Sequence, residues 1–314
     1  MDTILIAGVE TIAGANLAVH FADRCRVRGS SADERIAIDG AEPLVGEARD
    51  FESARRLLLA AQPDAVVHCG PASASAWSGE TTLADLTAAR AIARNLARGA
   101  AERGCRFTFI SSDAVFSGPW MFHEEDGASF CPSEEAETIR ATENDVLAAC
   151  PGALVLRTNV FGWSPDPADC GWIERLLHRL DTGKDAGLHD GVAHATPIAA
   201  AHLAEIVERA HRERLEGTFH VGGAERVSPA GFARRLAEAF DIGPCYSSSG
   251  RIVDDRPVGY GRGETSLQTR KIRKALCVAM PTFAEGLATL LAERDDGRAD
   301  ALRGTSALAH QRVA

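Results

Sequence analysis

The stretch TILIAGVETIAG, residues 3–14, decides the fold of this chain. Its first five residues form a short apolar run that ends at Gly8, as is typical of a buried parallel strand. Residues 13–21 follow with helical spacing, because Leu17, Ala18 and Phe21 fall on one face. A buried strand, a glycine-bounded turn and a helix are therefore predicted at the start of the chain.

The same alternation of strands and helices continues through residue 158. Further strands are predicted at residues 24–29, 65–69, 106–111 and 153–158, with helices at 51–61, 83–102 and 139–149. Such alternation is typical of right-handed βαβ units around a parallel sheet. We therefore predict an α/β protein with a Rossmann-type doubly wound parallel sheet.

The pattern changes after Gly162, where a Pro- and Asp-rich loop precedes a helix-rich second half. Helices are predicted at 173–180, 199–212, 229–240, 269–276 and 283–293, with two short strands near 194–196 and 218–221. We predict a dinucleotide-binding domain at 1–163, to which elements near 195–222 return, and a smaller C-terminal α/β substrate lobe at 164–294. Residues 295–314 are polar, alanine-rich and aperiodic, which predicts a poorly ordered tail.

Composition and charge exclude several functional classes. The 314 residues carry a formal net charge of −10, which disfavours a general nucleic-acid binder. The eight cysteines form no CxxC pair, so no metal site is expected. The sequence shows no leader segment and no apolar stretch long enough to cross a bilayer, so we expect a cytoplasmic protein without a membrane partner.

The turn after the first strand resembles a dinucleotide-binding turn. Gly8 and Gly14 match its first and last glycines, which allow a tight turn and a close approach of helix and strand. Thr11 replaces the middle glycine, where backbone normally approaches a pyrophosphate, so its side chain either crowds the phosphate or bonds it through the hydroxyl. A turn that binds no ligand is the alternative interpretation.

The second predicted strand bears on the choice between NADP and NAD. It carries Arg26 and Arg28 but no terminal acid, which favours NADP if a dinucleotide binds. Solvated arginines are the alternative. The candidate cofactor contacts are Gly8, Thr11, Ile12, Gly14, Arg28, Asp50, Cys69 and Gly70.

Several stretches resemble, in order, the motifs of one enzyme family. SSDAVFSG at 111–118 resembles STDYVFDG, LRTNVFG at 156–162 resembles LRTSWVYG, and GTFHVGG at 217–223 resembles GIYHVxG. On these residues the chain resembles the dTDP-4-dehydrorhamnose reductase (RmlD-like) family of extended short-chain dehydrogenases/reductases over residues 1–294. The resemblance implies a Rossmann domain, a nicotinamide cofactor and a nucleotide-sugar substrate under the C-terminal lobe. The family also contains proteins that bind partners instead of converting sugars.

The chain lacks the tyrosine and lysine with which such enzymes carry out hydride chemistry. In the family a Ser or Thr orients the carbonyl, a Tyr is the general acid, and a Lys four residues later lowers the pKa of that Tyr. Ser112 matches the hydroxyl position, but Glu135 and Ile139 stand where the Tyr and Lys are expected. A shift by one residue gives Ala136 and Arg140, and no Tyr-x-x-x-Lys occurs anywhere in the chain.

The absent pair leaves three functional hypotheses. The first is an RmlD-like protein, impaired in hydride transfer, that binds a nucleotide or nucleotide sugar in a binding or regulatory role. The second is an active, atypical NAD(P)-dependent nucleotide-sugar reductase, epimerase or dehydratase, with Ser112 and Glu135 as candidate catalytic residues. In that case Glu135 is a general base; an exposed glutamate that stabilises a helix N-terminus is the alternative. The third is a scaffold with an empty cleft.

The predicted substrate contacts are His123, Arg157, Asn159 and Arg256. Arginine suits a diphosphate because its guanidinium can donate two parallel hydrogen bonds. Ion pairs within the protein are the alternative for both arginines, and an ordinary loop histidine is the alternative for His123. The sequence leaves open whether the partner is a nucleotide-sugar-like small molecule alone, a second copy of the chain, or another protein.

Overall fold

The architecture is that of the computed structural model, which describes residues 2–32, 36–166, 171–183, 192–243 and 259–304. Its strands are β1 (Thr3–Ala7), β2 (Arg26–Ser31), β3 (Ala41–Val45), β4 (Ala65–His68), β5 (Arg106–Ser112), β6 (Leu154–Thr158), β7 (Val160–Phe161), β8 (Ile198–Ala199) and β9 (Gly217–His220). Its helices are α1 (Ile12–Ala22), α2 (Phe51–Ala61), α3 (Leu83–Arg103), α4 (Glu134–Ala149), α5 (Trp172–Asp181), α6 (Ala200–Arg212), α7 (Pro229–Ala239), α8 (Arg270–Leu276), α9 (Phe283–Asp295) and α10 (Arg298–Ala301).

The main sheet confirms the predicted Rossmann-type fold. Seven strands pair in parallel in the order β3-β2-β1-β4-β5-β6-β9. The central strands are continuous apolar runs because both faces of the sheet are covered. The strand order reverses between β1 and β4, so the switch point of this doubly wound sheet lies at their carboxyl ends.

Helices cover both faces of the sheet and enclose two apolar cores. α1 packs against α6 on one face, and this core extends into the helices of the second half. On the other face α3 packs against both α2 and α4. The loops at the carboxyl edge of the sheet are thereby held between two layers of helices.

Two elements differ from the predicted pattern. β3 was not predicted, because it is a short edge strand with an exposed pattern and a proline at position 43. α4 begins several residues earlier than predicted, because the Ser133 side chain accepts a hydrogen bond from the Ala136 backbone and three acidic residues occupy the first turn.

The second half contributes a short ladder and one strand of the main sheet. β7 and β8 pair in parallel, whereas the predicted strand near 194–196 consists of single bridges from His194 to Glu264 and from Ala195 to Val227. β9 pairs with β6 at the edge of the main sheet. Elements of the second half therefore return to the sheet, while the predicted division at residue 163 stays a prediction.

The structure corrects the predicted tail over residues 295–304. α9 extends to Asp295, α10 follows it, and Leu302 is fully buried in the core that contains α1. Arg303 donates to the carboxylate of Glu174 at 3.1 Å. A single apolar anchor in a polar stretch gives no periodicity, which is why the sequence did not indicate this docking. Residues 305–314 lie outside the described residues.

Within the described ranges, no helix combines the length and the apolar character needed to cross a membrane.

Candidate functional site

The turn between β1 and α1 is built from close backbone contacts that only glycine allows. Gly8 has a φ of +97°, and a Cβ placed on it would lie 2.0 Å from the Cys69 carbonyl oxygen. A Cβ on Gly14 would lie 2.1 Å from the Gly8 carbonyl oxygen. The two predicted glycines therefore bring β1, α1 and the loop after β4 into direct contact, as a nucleotide-binding turn requires.

Thr11 uses its hydroxyl within this turn. The Thr11 Oγ1 accepts from the Gly14 backbone N–H at 3.0 Å and donates to the Gly8 carbonyl at 2.8 Å. Thr11 is thereby the N-cap of α1. One of the unpaired N–H groups that a helix N-terminus offers to an anion is already satisfied by the protein.

A cavity of about 530 Å³ opens beside this turn, a size that suits a small organic ligand. It is lined by the carboxyl ends of β1 to β4 and by one face of α3, and we call this part of the sheet edge the open half. Its lining residues are Ala7, Gly8, Glu10, Ser30, Ser31, Ala32, Gly46, Glu47, Ala48, Arg49, Leu57, His68, Gly70, Pro71, Asp85, Ala88, Ala89, Ile92 and Leu96. Gly8 and Gly70 are the predicted cofactor contacts among them.

Other predicted cofactor contacts have structural partners. Arg28 forms an ion pair with Glu42 of β3, and Asp50 is the N-cap of α2, accepting from the Ser53 backbone at 2.7 Å. Ile12 is the first residue of α1, while Cys69 contributes its carbonyl to the contact with Gly8. Burial raises the pKa of the Cys69 thiol, which therefore stays protonated.

The open half contains charged and polar residues that the sequence reasoning did not select. Arg49 lines the cavity and pairs with Glu47, while Glu10 and Asp85 add two further carboxylates to the lining. His68 lies on the cavity wall with neither ring nitrogen in a well-formed hydrogen bond. Burial lowers the pKa of His68 to about 4, so its ring is neutral at pH 7.

The carboxyl ends of β5 and β6 have the opposite character, and we call this part of the edge the closed half. Ser112 ends β5 and is 1% exposed, and its Oγ accepts from the Ala114 backbone at 3.1 Å. Glu135 lies in the first turn of α4 and is half-buried. The structure thus brings the two candidate catalytic residues to the same region.

A tyrosine from the far end of the chain reaches Ser112. The Tyr260 ring is partly buried against the core that contains α3, and its hydroxyl is enclosed. Ser112 lies close enough to lower the pKa of the Tyr260 phenol, but the geometry falls short of a well-formed hydrogen bond, and we regard the hydroxyl as weakly partnered. The sequence search missed this approach because it looked for a tyrosine with a lysine four residues later.

The surroundings of Tyr260 differ from those of an activated phenol. Burial raises its pKa, and Asp113 and Glu135 raise it further. A catalytic tyrosine needs a neighbouring cation that lowers its pKa. Tyr260 is therefore held in its neutral form.

A buried hydrogen-bond network lies beside Tyr260. The Asp113 carboxylate accepts from the Thr265 hydroxyl at 2.6 Å and from the Asn159 amide at 3.0 Å. The Asn159 side-chain oxygen accepts from the Ser75 hydroxyl at 2.9 Å. Burial raises the pKa of Asp113 to about 6 although both donors lower it. The network joins the loop after β4 to the ends of β5 and β6.

The segment 260–268 is hydrogen-bonded to a loop from the N-terminal part of the chain and to a loop from its C-terminal part. The Thr265 backbone donates to the His194 carbonyl at 2.8 Å, and the Gln268 backbone donates to the His123 carbonyl at 2.8 Å. The His123 backbone in turn donates to the Ser266 carbonyl at 2.8 Å. This segment is a built part of the closed half.

The predicted substrate contacts are engaged within the protein where the structure describes them. Arg157 is buried and donates to both carboxylate oxygens of Glu143, the shortest of three contacts being 2.7 Å. The His123 ring stacks on Phe116 with centroids 4.4 Å apart, and its Nε2 lies 2.9 Å from the Glu264 carbonyl oxygen. Asn159 belongs to the Asp113 network, and Arg256 lies outside the described residues. The roles of these four residues in substrate binding stay predictions.

Comparison with known proteins identifies the family. A family model described as the RmlD substrate binding domain matches residues 2–295, and the chain belongs to this family. The resemblance deduced from the motifs is confirmed.

The curated relatives of this chain extend this result. The chain is 24% identical to the methionine adenosyltransferase 2 subunit beta of Danio rerio over 68% of this chain and 66% of that protein. It is 26% identical to the Xenopus laevis protein of the same name over 67% and 64%. The chain therefore spans just under two thirds of the length of these relatives.

Two solved structures share the fold. A dTDP-4-dehydrorhamnose reductase from Bacillus anthracis, in complex with NADP, has a TM-score of 0.75 at 16% identity, covering 93% of this chain and 98% of that one. A UDP-glucose 4-epimerase from Thermotoga maritima, with UDP-glucose, has a TM-score of 0.74 at 17% identity, covering 94% and 99%.

Proposed function

We propose that this protein binds a nucleotide in the open half and does not transfer hydride, so that its role is binding or regulation. The observation that carries the proposal is the environment of Ser112. Burial, Asp113 and Glu135 raise the pKa of the phenol beside it, Tyr260, and no cation is among the largest causes of that shift. An open cavity next to an unactivated phenol suits a protein that binds a ligand without transferring hydride.

The open half supports a nucleotide as the ligand. Apolar residues of α2 and α3, such as Leu57 and Ile92, can hold a flat base, and the Gly8 turn places backbone beside a phosphate. The related reductase structure contains NADP, which supports a nicotinamide dinucleotide or a part of one. Arg49 is the lining residue that can contact a 2′-phosphate, so NADP is favoured over NAD.

A nucleotide sugar is the second candidate ligand, supported by the epimerase structure with UDP-glucose. The region under the C-terminal lobe holds Arg157 and His123, whose polar groups already have protein partners. An active reductase, epimerase or dehydratase remains the alternative function for this site, with Ser112 and Glu135 as its catalytic residues.

Calorimetric titration with NADPH, NADH, UDP-glucose and dTDP-glucose tests the proposal. We expect at least one of them to bind, and Ala89→Phe, which fills the cavity between α3 and Gly70, to weaken that binding by about tenfold or more. Ala101→Phe, at an exposed position of the same helix, is the matched control and should leave binding unchanged. Equal effects of the two variants would exclude the open half as the site.

A turnover assay separates binding from catalysis. Every ligand pair that binds is incubated with the protein, and NADPH oxidation and epimerised or dehydrated sugar products are monitored. We expect no turnover. Product formation that Ser112→Ala abolishes would establish the active-enzyme alternative.

A role within a protein complex is the third part of the proposal. The curated relatives are named as subunits, which supports a protein partner or a homodimer. Trp120, Met121 and Phe122 form an apolar patch in one loop, with Trp120 72% exposed. Sedimentation analysis of the wild-type chain and of Trp120→Ser should show whether this patch joins two copies. A monomeric wild type would leave another protein as the partner.

We also propose the cytoplasm as the compartment. The six cysteines within the described ranges are all free, which suits a reducing environment. Fractionation of cells that express the chain tests this, and recovery from an oxidising compartment would refute it.

A further inference from the structure

The doubly wound sheet divides a dinucleotide site into two parts, and this inference rests on the proposed nucleotide binding. In such folds a dinucleotide crosses the switch point, with one mononucleotide over each half of the sheet. Here the open half lies at the carboxyl ends of β1 to β4, and its part over β1, β2 and β3 is the place for an adenosine. The nicotinamide would lie over the carboxyl ends of β4, β5 and β6.

Residues of the segment 260–268 lie at that second place. Tyr260 extends to Ser112 at the end of β5, and its hydroxyl is enclosed. The neighbouring Gly261 lies so close to Ala76, in the loop after β4, that a Cβ on Gly261 would be 2.4 Å from the Ala76 Cβ. The segment therefore spans the gap between β4 and β5.

Strong contacts fix the segment in this position. Thr265 donates to the buried Asp113 carboxylate at 2.6 Å, and the Gly263 carbonyl accepts from the His194 backbone at 3.1 Å. Leu267 is 1% exposed, and its backbone donates to the Thr196 hydroxyl at 3.2 Å. A shift of Tyr260 away from Ser112 would therefore have to move a segment that is hydrogen-bonded on both sides.

The turn between β1 and α1 also disfavours a dinucleotide. The Gly14 N–H is bonded by Thr11 and is not available to a pyrophosphate. Glu10 is exposed at the cavity and adds a carboxylate beside the turn, and Asp85 adds a second one along its wall. These charges oppose a diphosphate more than a single phosphate or a neutral nucleoside.

We infer that Tyr260 closes the nicotinamide part of the nucleotide site, so that the protein selects an adenine nucleoside or mononucleotide over an intact nicotinamide dinucleotide. The nicotinamide end of the cofactor does not fit this structure. Tyr260 is thus a specificity-determining residue, and the nucleotide site recognises the adenosine half of a nicotinamide dinucleotide.

The experiment compares each dinucleotide with its own adenosine half by calorimetry on the full chain. NADH is paired with AMP, and NADPH with 2′,5′-ADP. In the wild type we expect each half to bind within about threefold of its dinucleotide, or more tightly, because the nicotinamide adds no contacts. A dinucleotide that binds about tenfold more tightly than its half would overturn the inference.

Two variants locate the effect. Tyr260→Ala opens the closed half and should raise the affinity for NADH and NADPH by about tenfold, with AMP and 2′,5′-ADP unchanged. Tyr260→Phe keeps the ring and should behave as the wild type. If Tyr260→Phe gains affinity for the dinucleotides, or if a folded Tyr260→Ala does not, the tyrosine ring does not close the site.

The outcomes distinguish this inference from the proposed function. If none of the four nucleotides binds to the wild type, nucleotide binding itself is wrong, and the inference fails with it. If dinucleotides bind strongly, the proposed nucleotide binding stands and only the closure is refuted. The wild-type comparison needs no variant and decides the question even if Tyr260→Ala does not fold.

Discussion

The open and closed halves lie along one edge of the same sheet, yet one contains a cavity and the other contains packed side chains. The open half keeps a cavity of about 530 Å³ with the glycine turn at its rim. The closed half contains the Tyr260 side chain and the buried Asp113 carboxylate, which accepts hydrogen bonds from Thr265 and Asn159. The difference teaches that a cavity beside the glycine turn can persist when the neighbouring strand ends are closed, because each region depends on a different set of strand ends.

The largest expected effect comes from breaking the ion pair beneath the closed half. Arg157→Ala leaves the Glu143 carboxylate buried with Ser111 as its remaining partner, and should lower the free energy of unfolding by about 3–5 kcal/mol. Arg55→Ala is the control, since Arg55 and Glu52 form an exposed pair that should contribute little. Urea unfolding measures both, and similar losses would contradict the buried role of Arg157.

A slightly smaller effect is expected in the open half. Gly8→Ala combines a positive φ with a contact to the Cys69 carbonyl, and should lower the free energy of unfolding by about 2–4 kcal/mol and abolish nucleotide binding. Gly79→Ala is the matched control, because Gly79 also has a positive φ, of +69°, but has nothing within 4 Å of an added Cβ. It should cost about 1–2 kcal/mol and leave binding intact. Equal costs would show that contact with Cys69 is unimportant.

The closed half should also respond to pH through Asp113. Burial raises the pKa of Asp113 from 3.8 to about 6, so the folded state favours the protonated carboxyl. The stability that this group contributes is therefore fully present below pH 4 and is lost as the pH rises through 6. Asp113→Asn removes this loss. The free energy of unfolding of the variant, relative to wild type, should rise by up to about 3 kcal/mol between pH 4 and pH 7.

Denaturant unfolding at several pH values measures that change. Any offset from the altered hydrogen bonds of the amide is present at every pH and cancels in the slope. A relative stability of Asp113→Asn that falls as pH rises would show that the wild-type carboxylate is ionised and stabilised in the folded protein.

The smallest expected effect comes from the phosphate turn. Thr11→Gly should cost only a few tenths of a kcal/mol, because glycine is a tolerable N-cap, and it frees the Gly14 N–H for a phosphate. Affinity for AMP should rise by about two- to fivefold, the range of one modest hydrogen bond. Thr11→Ser keeps the hydroxyl and should match the wild type in calorimetry. Lower AMP affinity in Thr11→Gly would mean that the threonine itself contacts the ligand.

Local sequence signals predicted most of the fold. The helix at 51–61 was predicted with the bounds it has, because its apolar spacing is unambiguous. β3 has no such signal, since Pro43 and exposed side chains interrupt any strand pattern. The docking of Leu302 depends on one side chain and its distant core contacts, which no local pattern records.

The candidate site was less predictable than the fold. Gly8 and Gly70, which were selected as cofactor contacts from their positions after buried strands, line the cavity, and their role in cofactor binding stays a prediction. Arg28 and Arg157 were selected for their charge, and the structure pairs them with Glu42 and Glu143. Sequence alone does not reveal which arginines already have a carboxylate partner, because these partners come from neighbouring strands and helices.

The sequence by itself determined the parallel sheet, the glycine turn and the absence of a Tyr-x-x-x-Lys pair, because each is written in neighbouring residues. Only the tertiary structure decided which tyrosine approaches Ser112. Tyr260 and Ser112 are far apart in the chain and meet because the segment 260–268 is hydrogen-bonded across the sheet edge. A contact of this kind depends on chain closure over the whole fold, so no local spacing could have indicated it.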